Sequence, residues 1–224
     1  MNTQAHQDYL KAVYTLSAIR DWVTTSALAA HLGVRPSSVT SMVKKLSAAT
    51  PRLLDYKPQR GVALTDAGRR IALDMMRRHR LIELFLVSVM GLGWEEVHEE
   101  AEHLEHCVSD RFVEKLDILL GHPTRDPHGR PIPSPSGELP TTVEIPLTDI
   151  PENETVSVSS VGSEAPEFLR YLKEIGLTPD TVITVIETAP AAGTLDIEFV
   201  AENPPRRQVV GTQLAENIFV SKRR

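Results

Sequence analysis

Metal-capable side chains crowd two short stretches of this 224-residue chain. His98, Glu102, Glu105 and His106 lie within one run, and at about 100° of rotation per residue a helix would bring all four onto one face. His79 and Glu83 have the i, i+4 spacing that puts a second pair on one helical face. A single His–Glu pair in a charged helix is ordinary solvated surface, but here six such residues fall inside residues 79–106 with apolar residues between them. Imidazole and carboxylate without thiol suit a borderline-to-hard divalent ion, so the pattern predicts a metal sensor. The one cysteine, Cys107, excludes an internal disulfide and fits a reducing compartment. It reads as a small buried residue on an apolar seam with Val108 and Phe112 rather than as a thiolate ligand.

The elements that must carry these groups begin in a basic N-terminal third. Residues 1–80 hold 13 Lys and Arg against 5 Asp and Glu, whereas residues 81–224 hold 11 against 25. The net charge of −6 therefore hides a basic module joined to an acidic body, as expected of a DNA-binding part with a regulatory part. No apolar run approaches the roughly 20 residues of a membrane span. The start of the chain is polar and includes Asp8, so it lacks the apolar core of a secretory signal. A cytoplasmic location is expected.

Tyr9, Leu10, Val13, Leu16 and Ile19 have helical spacing over residues 4–20. Thr24, Thr25 and Ser26 offer N-caps for a short helix ended by Gly33, and Pro36-Ser37-Ser38 opens a third through Val39, Met42, Val43 and Leu46. Helix, glycine turn, helix is the helix-turn-helix arrangement, whose second member enters the major groove. Arg35, Ser37, Ser38, Thr40 and Ser41 lie early on that helix, where base edges are met, and Lys44 and Lys45 are placed for phosphates. Ser37 and Ser38 serve equally well as helix caps. Two short strands around Lys57-Pro-Gln-Arg60-Gly61 form a hairpin with a basic tip, so Lys57 and Arg60 are further phosphate contacts. Thr65-Asp-Ala-Gly68 then opens a long helix to Leu86.

Residues 81–120 read as two helices, Leu81 to Val89 on the first and Leu104 to Leu119 on the second, with faces apolar enough to imply a dimer interface. Eight prolines from Pro123 to Pro151 predict an extended, mostly surface-running connector. Strands are expected at Val156–Val161, Val182–Glu187 and Thr194–Val200, with a helix at Glu167–Ile175 and a helical turn or strand at Leu214–Phe219. A β-barrel of about 70 residues fits that pattern.

The order winged helix, His79-x3-Glu83, His98 to His106, then Asp126-Pro-His-Gly-Arg-Pro-Ile-Pro133 resembles the diphtheria toxin repressor family of metal-dependent transcriptional repressors. The likeness spans essentially the whole chain, and Glu167-Phe-Leu-Arg-Tyr-Leu-Lys-Glu-Ile-Gly-Leu177 is similar to the SH3-like, FeoA-type domain of three-domain members. The resemblance implies a mainly α chain with small β parts. Its divisions are a winged helix-turn-helix DNA-binding domain (1–75), a helical dimerisation and metal-binding domain (76–140), a linker (141–152) and an SH3-like β-barrel (153–224).

It also implies a primary, sensing site of Asp8, Glu102, Glu105 and His106, and an ancillary site of His79, Glu83 and His98 with Glu164 and Glu167. Iron-responsive members place Met and Cys where this chain has Asp8 and Glu102, so Mn2+ is the expected metal, with Fe2+ as the alternative and other divalent ions binding in vitro. Two-domain manganese members carry a second carboxylate three residues after the Asp; Lys11 stands there, so a binuclear cluster using both carboxylates is not expected. The implied partners are a second copy of the chain and palindromic double-stranded operator DNA. Two rivals are a metal-carboxylate enzyme and an adaptor. Glu95-x2-His98 and Glu100-x2-His103 match the Glu-x-x-His element of di-iron proteins, but both copies lie in one segment that cannot face itself. The basic balance of residues 1–80 favours DNA over the adaptor.

Overall fold

The computed structural model describes residues 3–17, 21–140, 143–201 and 204–222. Two compact units form: Met1–His79 with Glu105–Cys107 and Pro133–Glu138, and Arg80–Leu104 with Val108–Ile132 and Leu139–Arg224.

The first unit opens with α1 (Gln4–Ser17), which buries Tyr9, Leu10, Ala12 and Val13 at helical spacing; Ile19 lies outside the described residues. Thr24 caps α2 (Thr25–Leu32) by accepting from the Ala27 amide at 3.1 Å. Gly33 ends it in the left-handed region (φ 64°), returning its N–H to carbonyls of the last turn. Pro36 stands at the first position of α3 (Pro36–Ser47), which buries Val39, Val43 and Leu46. Strands β1 (Leu54–Lys57) and β2 (Gly61–Leu64) pair antiparallel as the wing. A Cβ on Gly61 (φ 114°) would lie 2.2 Å from the Val23 carbonyl oxygen, so only glycine lets the wing pair with Val23. Thr65 then starts α4 (Asp66–Ser88) by accepting from the Gly68 amide and donating to the Arg52 carbonyl.

In the second unit, Leu81, Ile82, Leu86, Val97, Ala101, Val113, Leu116 and Ile132 form one apolar cluster. The expected single helix from Leu104 to Leu119 is two: α5 (Val97–Leu104) and α6 (Asp110–Leu119). Ser109 is the cause, because its side chain accepts from the Phe112 amide and starts a new helix. Glu105 and His106 therefore sit in the turn between helices, not on the helical face the spacing suggested. Cys107 in the same turn is exposed rather than buried on a seam.

The C-terminal part adds β3 (Ile145–Pro146), β4 (Thr155–Val161), α7 (Pro166–Ile175), β5 (Val182–Ala189), β6 (Thr194–Phe199), β7 (Arg206–Gly211), α8 (Thr212–Ala215) and β8 (Ile218–Lys222). They form one antiparallel sheet in the order β3-β8-β4-β5-β6-β7, with β3 and β7 at its edges, over a core that includes Leu169, Leu172 and Ile183. The proline-rich stretch is not a surface connector throughout, since Asp126, His128, Ile132, Leu147 and Ile150 are buried. Among the described residues no helix is long and apolar enough to cross a membrane.

Candidate metal centre and nucleic-acid interface

Two acidic–imidazole groups form, one in each unit. In the first, α1 supplies Asp8 and, one turn later, Lys11; α4 supplies His79; the turn after α5 supplies Glu105 and His106. One atom each from Asp8, Glu105 and His106 lies within 4.8 Å of the others. His106 Nδ1 donates to Gln7 Oε1 at 2.9 Å, which leaves Nε2 facing Asp8 Oδ1 at 2.9 Å and Glu105 Oε1 at 3.4 Å. A ring nitrogen and two carboxylates pointed at one another need a cation between them, either a proton or a metal ion. Glu105 has no exposed side-chain surface; its Oε2 lies 2.6 Å from His79 Nδ1, and both its oxygens accept from Lys11 Nζ at 2.9 Å. His79, expected in the ancillary site, thus makes a short contact to Glu105.

The second group joins Glu83 on α4, His98 on α5, His128 in the proline-rich segment and Glu164 after β4. His98 Nδ1 lies 2.9 Å from Glu164 Oε2 and 3.4 Å from Glu83 Oε1. Hydrogen bonds to Glu164 and Glu83 outweigh burial and raise the His98 pKa from 6.5 to about 10. Burial pushes Glu164 up, but His98 and the ion pair with Arg130 more than offset it and hold the carboxyl at about 2.

His128 is fully buried and stacked on Trp94 with ring centroids 5.7 Å apart. Its Nε2 donates to the Trp94 carbonyl at 2.8 Å, so the other nitrogen, Nδ1, carries the lone pair of the neutral ring. Nδ1 has no hydrogen-bond partner and faces Glu83 Oε2 at 3.7 Å, too far for a hydrogen bond. A ring N–H anchored on a backbone carbonyl with the opposite lone pair aimed at a carboxylate is the arrangement of a metal-ligating histidine. Burial opposes the imidazolium here while the Glu83 carboxylate favours it, and the net pKa is raised, so proton and metal compete for one nitrogen. Asp126 shapes the loop, its Oδ1 accepting from the amides of His128 and Arg130. Burial and the nearby Glu83 charge raise the Asp126 pKa to about 6. A cleft of about 330 Å3 beside His98 is lined by four glutamates, Glu95, Glu96, Glu99 and Glu164, and also by Pro166 and the cation of Arg170.

Sequence reasoning missed His128, which sits among prolines with no periodic pattern. Glu167 does not join the group: it is exposed in the first turn of α7, and Glu164, in the preceding loop, reaches His98 instead. Glu102 is half-buried on the last turn of α5. His103, part of the apparent Glu-x-x-His element, is exposed, with its ring against its own helix's Glu99 carbonyl at 2.7 Å.

On α3, Arg35, Ser37, Ser38, Ser41, Lys44 and Lys45 are exposed while Val39, Val43 and Leu46 hold the helix down. The N-cap is Arg35, without a side-chain cap bond, so neither Ser37 nor Ser38 serves as the cap. The Thr40 hydroxyl instead turns back onto the Pro36 carbonyl at 3.0 Å. At the wing, Lys57 and Arg60 are exposed and both lie 4.9 Å from the Trp22 ring centre, so one indole ring contacts two cations. Trp22 had no signal in the sequence beyond its position.

Three family models match the chain: the iron dependent repressor N-terminal DNA binding domain over residues 1–62, the iron dependent repressor metal binding and dimerisation domain over 65–134, and the FeoA domain over 145–222. The iron-dependent repressor IdeR of Mycobacterium leprae is 31% identical over 201 residues, covering 84% of this chain and 86% of that protein. The transcriptional regulator MntR of Oceanobacillus iheyensis is 34% identical over 122 residues, covering 54% of this chain and 81% of that one. A solved manganese-dependent transcriptional repressor in complex with manganese superposes with a TM-score of 0.86 at 38% identity, covering 97% of this chain and 100% of the other. The chain belongs to the diphtheria toxin repressor (iron-dependent repressor) family of metal-dependent, DNA-binding transcriptional repressors.

Proposed function

We propose that this repressor responds to Mn2+, acts in the cytoplasm as a homodimer on palindromic operator DNA, and silences metal-uptake genes when loaded. The observation that carries the reading is the convergence of Asp8, from the first helix of the DNA-binding part, on Glu105 and His106 in a group without thiol or thioether. Carboxylate and imidazole donors favour a hard-to-borderline ion, and the buried Glu105 and the cation-requiring gap at His106 Nε2 fit such an ion. Fe2+ is the second reading, favoured by the IdeR relatives.

In this reading Asp8, Glu102, Glu105 and His106 form the sensing site. Glu83, His98 and Glu164, with His128 added and His79 shared, form the ancillary one. When bound, a divalent ion supplies a doubly charged centre on which carboxylates from separate segments converge. Asp8 ties α1 to the turn carrying Glu105 and His106, and α1 shares its core with α3 through Leu10, Val13, Val39 and Val43. Fixing α1 therefore fixes the recognition helix. Exposed Val89, Met90, Leu104, Phe112, Ile118 and Leu119 supply the apolar surface for a second copy. Half-sites on B-DNA repeat at about 34–36 Å, so only a dimer holding its two α3 helices at one spacing engages both. Differential affinity of the metal for that arrangement shifts the population towards it.

Relatives of both metal types are repressors, and the two Glu-x-x-His copies share one segment, which disfavours a metal-carboxylate enzyme. The test is a mobility shift on palindromic operator DNA with chelator, Mn2+, Fe2+ and Zn2+ in parallel. Retardation by Mn2+ at the lowest free concentration supports the reading; stronger activation by Fe2+ selects the alternative, and binding indifferent to metal refutes both.

A further inference from the structure

We propose that Lys11 is an internal counter-cation of the sensing site, seated on Glu105 in the metal-free protein and displaced when a divalent ion binds. The proposal rests on the reading that Asp8, Glu105 and His106 hold the ion. Its own evidence is the Lys11 ammonium, 2.9 Å from both oxygens of a carboxylate with no exposed surface and 3.2 Å from His79 Nδ1. A buried carboxylate without a cation is costly, and Lys11 supplies that cation before any metal arrives. An ion held by a Glu105 oxygen would occupy the space that the Lys11 ammonium now fills. An ammonium on the same two oxygens would then face a doubly charged neighbour inside the same small volume, so the two cations exclude each other. The Lys11 side chain retains 18% exposure, and its four-carbon stem gives the ammonium a path into solvent.

Lys11 follows Asp8 by three residues on α1, about 4.5 Å along the axis. Without metal α1 meets the turn through Lys11 on Glu105 and through Gln7 and Asp8 on His106. The Lys11 contact is the one given up when the ion binds, and the ion must outcompete that resident charge to take its place on Glu105. Lys11 therefore sets the metal threshold of the sensor and keeps a second ion off Glu105.

The test compares Lys11→Gln, which keeps length and hydrogen bonding but not charge, with Lys11→Arg, which keeps the charge. Mn2+ binding is titrated through the paramagnetic resonance signal of the free ion, with Glu105→Gln identifying which class of site is read. The proposal expects Lys11→Gln to tighten that class by about tenfold or more, a coupling within the usual range, and Lys11→Arg to stay within about twofold of the parent. In the unsubstituted protein, acylation of Lys11 read by mass spectrometry is expected to rise on adding Mn2+, as the amine leaves Glu105. That labelling measurement stands alone where Lys11→Gln fails to fold in chelator. Unchanged or weaker Mn2+ binding by a folded Lys11→Gln overturns the proposal. So does Lys11 labelling that is unchanged or lower after loading, since any tightening would then come from charge at a distance. If Glu105→Gln leaves the titration of the parent unaltered, the sensing-site reading itself has failed.

Discussion

Replacing Asp8 with Ala separates metal binding from metal sensing. The Asp8 side chain is a third exposed, and its Oδ1 lies 2.9 Å from His106 Nε2. The seat of α1 rests on Tyr9, Leu10, Ala12 and Val13, all at 7% exposure or less, and on the Lys11–Glu105 pair, none of which the substitution touches. A partly exposed ion pair contributes about 1 kcal/mol or less, so Asp8→Ala is expected to fold. Its melting temperature in chelator should fall by no more than about 2–4 °C for a chain of this size. The effect on operator binding is different in kind. Metal-to-DNA coupling is typically worth about 5–150-fold in affinity, and without a ligand on α1 that ratio should collapse towards one. The assay is fluorescence anisotropy of a labelled operator at fixed salt, in chelator and in saturating Mn2+, with bound metal counted in parallel. The ancillary group of Glu83, His98, His128 and Glu164 should still take up Mn2+. Asp8→Ala protein that keeps the parent's full Mn2+ activation refutes the tether.

Three further outcomes are expected. Removing Lys44, Lys45, Lys57 or Arg60 singly should flatten the slope of log K against log salt by about one unit without altering sequence preference; a changed preference at constant slope would mark a base contact instead. Glu102→Cys should move activation in the DNA-binding assay towards Fe2+ and softer ions, and an unchanged metal ranking would remove Glu102 from the selectivity set. The folded pKa of His98, about 10 against 6.5, contributes stability to the metal-free protein that is complete below 6.5 and lost as pH rises through 10. Glu164→Ala should lower that pKa in an NMR titration and make the loss of stability between pH 7 and 10 shallower, and an unshifted His98 would mean that Glu164 is not its partner.

The winged helix was legible in the sequence because its signals are local. Thr24 and Gly33 bound α2 through bonds within a few residues, Thr65 with Gly68 does the same at the start of α4, and Pro36 opens α3 through its fixed φ. The metal-capable residues were legible as types, but not their geometry. Helical rotation was the wrong argument for Glu105 and His106, because Ser109 starts a new helix and leaves both in a turn; they meet Asp8 through long-range packing instead. The run Asp126 to Pro133 stood out as a motif, but His128 was not legible in it as a candidate ligand, because its place comes from a buried stack on Trp94, some 34 residues away in sequence. The family resemblance implied Glu164 and Glu167 alike, and the loop before α7 decides between them by placing Glu164 against His98 and Arg130.

The most direct test of the account is anomalous diffraction from Mn2+-loaded crystals, recorded on both sides of the manganese absorption edge. The account predicts an anomalous peak bonded to Asp8, Glu105 and His106, with the Lys11 ammonium withdrawn from Glu105. Manganese only at Glu83, His98, His128 and Glu164, with Lys11 still seated on Glu105 in operator-binding protein, would contradict it.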